Sequence, residues 1–444
     1  MEANQKLGML DNYVIEKLLG SGANAKVFLG YQESDPSTKY AIKLVNDESS
    51  NDEDINREAI ISEAKILQNF KHHNIIKMYD LRADGVLKVG DKVDHVKHLY
   101  CVMQIADKGV MLDYLMSGGL LTEPVARFYF KQLVDGLIYI HNKGYAHRDL
   151  KPDNLLLGTN YELLIADFGH STLLQGKKGD GKLSSRLGTP IYNAPEVGQN
   201  KYEGKPVDTF MAGVVLFIFL TANTPFKDGA SKSDPFYKNF IDMNPAGFWS
   251  LHEKRLKHVN FNPILKDLLS GLFTFDPTHR PTLDDVTKHP WWNQPTASEE
   301  EVKHEMHKRF EAEERRKDEE IKKAAARKAR AGAKQAGPHK EHNRDVVIES
   351  DIYSQLNDNT AENRDQIMNI KFSTAPPAYE DRGTNFFNTY YSSLVPETLL
   401  KAATVVANNN CKTVTLNLKE YNVSFLLRRP KFLFQLLVIE SISP

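Results

Sequence analysis

The sequence predicts an α+β fold of two lobes, a small strand-rich lobe ahead of a larger helical one. Three observations carry this. Residues 12–48 alternate short β-type runs, Val27 to Gly30 and Tyr40 to Leu44, with turn residues, and a helical pattern through Glu58 to Phe70 follows them. From Thr122 onward apolar residues recur at helical spacing, at Val125, Phe128, Tyr129, Leu133 and Leu137, and helical segments dominate up to Trp292. Past Pro295 the composition turns sharply to charge.

That charged run, residues 296–335, reads as one long exposed helix. Ser298 stands three residues before Glu301, the spacing of a capping box. Glu299 with Lys303, Glu305 with Arg309, Glu311 with Arg315 and Glu319 with Lys323 are i,i+4 pairs in the favourable order, and basic residues fill the last turns. Its apolar residues Val302, Met306, Phe310 and Ile321 keep no heptad, so a solvated spacer is expected rather than a coiled coil. Residues 336–380 are polar, include Pro376-Pro377, and predict a disordered linker. Pro376-Pro377-Ala378-Tyr379 also fits the short motif read by WW domains, a pattern that four residues in such a linker reach easily by chance. Residues 384–444 predict a small α+β module. Phe386, Phe387, Tyr390 and Tyr391 lead into a helical stretch from Pro396 to the Asn408–Asn410 cluster, and β-type runs follow at 414–418, 423–427 and 432–439.

Bulk properties limit the classes of function. At 444 residues the chain exceeds what one hydrophobic core supports, so several domains are expected. The 57 basic against 58 acidic residues leave a formal charge of -1, which gives no whole-chain attraction to nucleic acid or anionic membrane. Cys101 and Cys411 are the only cysteines and have no partners at ligand spacing, which argues against a disulfide framework or a zinc site. The first residues show no secretory or myristoylation pattern, and the longest apolar run, Gly213 to Leu220, is too short to span a bilayer. A soluble cytoplasmic protein is the expectation.

Phosphoryl transfer requires a nucleotide held by its phosphates, metal to offset charge, and a nucleophile placed in line. The sequence has a segment for each task. Leu19-Gly20-Ser21-Gly22-Ala23-Asn24-Ala25-Lys26-Val27 lies between two strand-like runs, where backbone can approach phosphate oxygens. By itself it is a weak signal, because Gly-x-Gly is more often a simple turn. Lys43, in Tyr40-Ala41-Ile42-Lys43, ends the next strand, and Glu63 on the following helix supplies the acid that a phosphate-binding lysine needs for orientation. The strong pair is His147-Arg148-Asp149-Leu150-Lys151-Pro152-Asp153-Asn154 followed by Asp167-Phe168-Gly169.

With these segments in order, residues 13–292 resemble the eukaryotic serine/threonine protein kinases, and in particular the calcium/calmodulin-dependent and AMP-activated group. The resemblance implies the bilobal protein-kinase fold and ATP with Mg²⁺ as cofactors. It also implies roles by position. Asp149 is the catalytic base, with Lys151 beside it as the lysine typical of serine/threonine enzymes, and Lys43 binds the α- and β-phosphates. Asn154 and Asp167 are the metal ligands. Met103 is the gatekeeper, and Gln104 to Ala106 form the hinge against adenine, with Ala41 in the same pocket. The third glycine of the phosphate loop is Ala25 here, and Gln104 and Val110 replace acidic residues common near the ribose. Glu196 of Ala194-Pro195-Glu196 and Arg280 are expected to form a buried ion pair. Asp208 braces the catalytic loop, with Phe210 in place of the usual tryptophan.

The resemblance further implies protein substrates and an upstream activating kinase, since Arg148 in such enzymes is commonly neutralised by an activation-segment phosphate. Ser184 and Ser185 are the candidate acceptors, Ser185 standing three residues before Gly188-Thr189-Pro190. The tail resembles a kinase-associated domain 1, and an unrelated small α+β module fits the residues equally. If the resemblance holds, contact with anionic lipid or with the catalytic domain follows, with Arg428, Arg429 and Lys431 as its basic cluster. Two alternatives stand beside an active kinase. A catalytically silent pseudokinase scaffold conflicts with the intact set Lys43, Glu63, Asp149, Asn154 and Asp167, and a structural rod leaves that set unexplained.

Overall fold

The computed structural model describes residues 6–21, 25–45, 53–90, 92–185, 188–199 and 201–335, together with the strands within 413–441. The chain divides into two compact units, Met1–Glu319 with Gly383–Thr389, and Glu320–Arg382 with Tyr390–Pro444.

The first lobe is a six-stranded antiparallel barrel. Strands β1 (Gly8–Leu10), β2 (Tyr13–Ser21), β3 (Ala25–Gln32) and β4 (Asp35–Val45) are followed by helix α1 (Glu53–Gln68) and by the long hairpin β5 (Met78–Val89) and β6 (Lys92–Gln104). The order is β1-β2-β3-β4-β6-β5, closed where Met9 and Leu10 pair with Lys88 and Leu87. The lobe therefore begins ahead of residue 13, the start that the sequence suggests. Three residues are too few for an alternation to show, and Asp11 fixes the join: at φ +50° its carboxylate accepts from Val86 N at 2.9 Å and Tyr100 Oη at 2.7 Å. Inward-pointing Leu10, Ile15, Phe28, Ile42, Leu99 and Val102 are fully buried and form the lobe's core by the two-residue alternation of strands.

The second lobe starts with α2 (Met111–Gly118) and α3 (Glu123–Asn142). Short strands β7 (Tyr145–Ala146), β8 (Leu155–Leu157), β9 (Leu163–Ile165) and β10 (Thr172–Leu173) carry the loops of the site. Helices α4 (Gly204–Thr221), α5 (Lys238–Ile241), α6 (Pro245–Arg255), α7 (Pro263–Leu272) and α8 (Leu283–Lys288) complete the lobe. The 213–220 run lies in α4, whose 18 residues are long and apolar enough to cross a membrane by composition, yet 89% of the helix is buried within the lobe. Phe210 of α4 packs against Phe226, Tyr237 and Phe273 at ring separations of 5.6–5.9 Å, so an apolar aromatic fills the position where the family pattern has tryptophan.

Helix α9 (Glu299–Gln335) starts at the expected capping box, with Ser298 N donating to Glu301 Oε2 at 2.7 Å and Glu301 N to Ser298 Oγ at 3.3 Å. The solvated-spacer expectation fails for its first turns. Val302 and Met306 are buried against the helical lobe, Glu313 is buried with its carboxylate on Arg316, and Tyr161 Oη lies 3.0 Å from His307 Nδ1. A search for a heptad misses this face because Val302, Met306, Phe310 and Glu313 follow the 3.6-residue period of a straight helix packed on a globular lobe.

In the second unit, β11 (Thr413–Leu418), β12 (Tyr421–Arg428) and β13 (Leu433–Ser441) form an antiparallel three-stranded sheet in sequential order. The expected linker, the WW-type motif, the helical stretch from Pro396, and Arg429 and Lys431 lie outside the described residues.

Candidate active site

The catalytic-loop residues sit where α3 and β7 give way to a tight turn before β8, and backbone strain marks the place. Arg148 and Asp167 hold φ of +67° and +62°, a region that non-glycine residues occupy only when their surroundings force it, at a cost of about 1–3 kcal/mol each. For Arg148 the force is Asp208, fully buried on α4. Its carboxylate accepts from His147 N at 2.8 Å, Arg148 N at 2.7 Å and His141 Nε2 at 2.8 Å. Burial opposes ionisation of Asp208, and His141 with these backbone donors outweighs it, holding the carboxyl below its usual range.

Asp149 follows. Its Oδ2 accepts from Lys151 Nζ at 2.9 Å and from Asn154 Nδ2 at 3.0 Å, and its Oδ1 from Thr189 N at 3.1 Å. Lys151 Nζ also reaches Thr189 Oγ1 at 2.9 Å. Burial would raise the Asp149 carboxyl, but the adjacent Lys151 ammonium, with smaller help from His170 and His147, holds it below the ordinary carboxylate value. Asp149 is thus an ionised acceptor fixed in one orientation. Asn154 commits its Nδ2 to Asp149, which turns its amide oxygen toward other partners, and Asp167 adds an exposed carboxylate; hard oxygens of this kind could hold Mg²⁺ with phosphate completing the shell.

In the barrel lobe Lys43 of β4 meets Glu63 of α1 at 2.7 Å. Burial disfavours the Lys43 ammonium, and Glu63, with Asp167 behind it, more than offsets this and raises its pKa. Phe168 is buried between Phe70, two residues past α1, and His147, with ring separations of 5.4 and 4.9 Å, so the two lobes meet through the residue next to Asp167. Gly20 and Ser21 end β2 and face Val27 and Lys26 at the start of β3, where Ala25 is also placed, while Leu19 falls in a register shift between Leu18 and Gly20; Gly22, Ala23 and Asn24 lie outside the described residues. Ala41 pairs with Met103 across β4 and β6, and Gln104 with Ala106 leads out of β6 toward α2.

Sequence reasoning does not reach His141 or His170. His170 Nδ1 lies 3.7 Å from Asp149 Oδ2 and His141 Nε2 lies 2.8 Å from Asp208 Oδ2, but neither has a spacing that sets it apart from an ordinary histidine. The Glu196–Arg280 pair forms as expected, bidentate at 2.6 and 3.0 Å and buried. Arg280 also donates to Pro206 O and Thr274 O and lies over the Phe210 ring at 4.9 Å.

The protein kinase domain model matches residues 13–292. The chain is 33% identical over 285 residues to the probable serine/threonine-protein kinase MARK-A of Dictyostelium discoideum, covering 64% of this chain and 24% of that protein. It is 30% identical over 292 residues to calcium/calmodulin-dependent protein kinase type 1 of Caenorhabditis elegans, covering 65% and 76%. The match thus spans about a quarter of the length of the first relative and three-quarters of the second. With the matched segment holding both lobes and the joined Lys43–Glu63 and Asp149–Lys151–Asn154 sets, the chain belongs to the protein kinase domain family.

Proposed function

We propose that this chain is an ATP- and Mg²⁺-dependent serine/threonine protein kinase, with residues 13–292 as its catalytic domain. The observation that carries the proposal is the seat of Asp149, whose carboxylate is shared by Lys151, Asn154 and Thr189 within 3.1 Å. The bound nucleotide and metal supply the transferable phosphoryl group and the positive charge that offsets it. Asp149 accepts the proton of the substrate hydroxyl, Lys151 orients it and faces the developing charge, Lys43 held by Glu63 binds phosphate, and Asn154 with Asp167 holds the metal. Phosphotransfer from Mg²⁺-ATP onto a degenerate serine/threonine peptide library tests the proposal; no incorporation above an Asp149→Asn control overturns it. A silent scaffold usually lacks at least one of Lys43, Glu63, Asp149, Asn154 and Asp167, and all five are present here.

The same reading includes control through the activation segment. Arg148 Nη1 donates to Ser185 Oγ at 2.6 Å and to Tyr202 Oη at 3.0 Å, so a phosphate on Ser185 would arrive already in contact with a guanidinium. Treatment with an upstream kinase is expected to raise the activity of the wild type and not that of Ser185→Ala; an equal gain in both would remove Ser185 from the mechanism. For residues 384–444 we retain a separate α+β module resembling a kinase-associated domain 1. Its basic cluster Arg428, Arg429 and Lys431 is expected to bind vesicles containing anionic lipid more tightly than neutral ones, and binding indifferent to lipid charge sinks this part.

A further inference from the structure

We infer that Arg309 and Phe310, on the helix that follows the catalytic domain, are positioning residues for the nucleotide site. They hold the segment that leaves the hinge. The inference rests on the kinase reading, which assigns Gln104 to Ala106 to adenine.

The contact begins with Val302 and Met306, 1% and 0% exposed, which seat the first turns of α9 on the helical lobe. Arg309 then caps α2. Its Nη1 donates to Gly119 O at 2.8 Å and Tyr114 O at 3.3 Å, and its Nη2 to Leu120 O at 2.8 Å, while Glu305 holds the guanidinium at 2.9 Å. Tyr114 O lies inside α2, and Gly119 O and Leu120 O lie just past its end, where a helix runs out of its own donors and its dipole is negative. A planar fork of N–H groups answers both needs. Gly118 makes the room: a Cβ there would stand 2.5 Å from Arg309 Nη1 and 2.9 Å from its Cγ.

From α2 the contact passes to the hinge. The Phe310 ring stacks on Tyr114 at 6.5 Å and 24°, and Lys108 Nζ stands 4.8 Å from the Phe310 centroid. Tyr114 Oη donates to Lys108 O at 2.6 Å. Lys108 N donates to Leu157 O, Leu157 N to Gly109 O, and Gly109 N to Ala106 O, at 3.2, 2.8 and 3.0 Å. Segment 106–109 is thereby tied to β8, which follows Asn154 directly, and to α2. Farther along α9, Lys317 reaches Asp113 of α2 at 3.3 Å, a second tie to the same short helix. An eight-residue helix has little stability of its own, so its position depends on what packs on it.

Loss of this clamp loosens the hinge exit in the free enzyme without touching Asp149 or its partners, and therefore acts on nucleotide binding rather than on the transfer step. In the full chain, Arg309→Ala and Phe310→Ala are expected to raise the KM for ATP about five- to tenfold, with kcat at saturating ATP within about twofold of wild type. Lys308→Ala, which removes the same charge from an exposed position on the same helix, is the control and is expected to leave both constants unchanged. Arg309→Lys, able to donate to one or two of the carbonyls, is expected to recover part of the affinity. Should Arg309→Ala fail to fold, Gly118→Ala displaces the guanidinium while retaining it and is expected to give the same rise. An unchanged KM in folded Arg309→Ala overturns the inference, as does a lower one, which would mean that the docked helix opposes nucleotide entry. Binding of Mg²⁺-ATP to the same variants by calorimetry keeps the two readings apart: a wild type that binds nucleotide but transfers no phosphate would overturn the kinase reading alone.

Discussion

Asp149→Asn is expected to lower kcat for peptide phosphorylation by about 10²–10⁴-fold while leaving the affinity for ATP near that of wild type. The amide has the shape of the carboxylate and keeps an oxygen for the Thr189 backbone N–H, so the loop is retained; what disappears is the acceptor for the substrate proton. The new NH₂ group also faces a second donor at Lys151 Nζ, which stood 2.9 Å from the native oxygen. A variant within tenfold of the wild-type kcat, with the loop intact, would show that the proton leaves by another route. The pH profile gives an independent check. Asp149 must be ionised to accept, and Lys151 holds its carboxyl below the ordinary range, so activity persists as pH falls and is lost only through that depressed value. In Lys151→Met the remaining activity should be lost at a higher pH, and an acid limb that stays in place would show that the lysine does not tune the base.

Arg280→Leu is expected to destabilise the helical lobe by about 3–5 kcal/mol, because it leaves Glu196 charged and unpaired where neither residue meets water. Pro206 O and Thr274 O lose a donor in the same step. Urea denaturation of the full chain, followed by tryptophan fluorescence, measures the loss. The double variant Glu196→Leu/Arg280→Leu should recover part of it, since no charge is then stranded, but not all, since the two carbonyls stay unanswered. A single variant within about 1 kcal/mol of wild type would mean that the carboxylate finds water or another donor by local movement.

Much of the site is legible in the sequence because its chemistry is carried by short segments whose internal spacing is set by the loop itself. Asp149, Lys151 and Asn154 lie within six residues, and their mutual hydrogen bonds follow from that turn. Lys43 and Glu63 are twenty residues apart, a spacing that sets no geometry by itself, and the structure brings them to 2.7 Å. His141 escapes notice because its partner Asp208 is sixty-seven residues away, joined to it by the packing of α3 on α4. The fold shows the same division. The strand alternation and the helical spacing identify the lobes, whereas β1 is too short to show a period. The docking of α9 stays hidden because part of its contact is polar: an arginine on carbonyls and a buried glutamate are invisible to a pattern built on apolar residues.

The three residues that close the barrel also cover strand ends that would otherwise stand open. An open antiparallel sheet ends in two rows of unpaired N–H and C=O groups that can recruit a strand from another chain. With β1 hydrogen-bonded to Tyr13–Ile15 of β2 on one side and to Leu87 and Lys88 of β5 on the other, these strand ends are already paired. A chain begun at Tyr13, where the family match begins, would keep every proposed catalytic group and yet bare that end of β2 and of β5 to pairing with another strand. Gly8, Met9 and Leu10 thus cover one end of β2 and of β5, placed where no catalytic motif would direct attention.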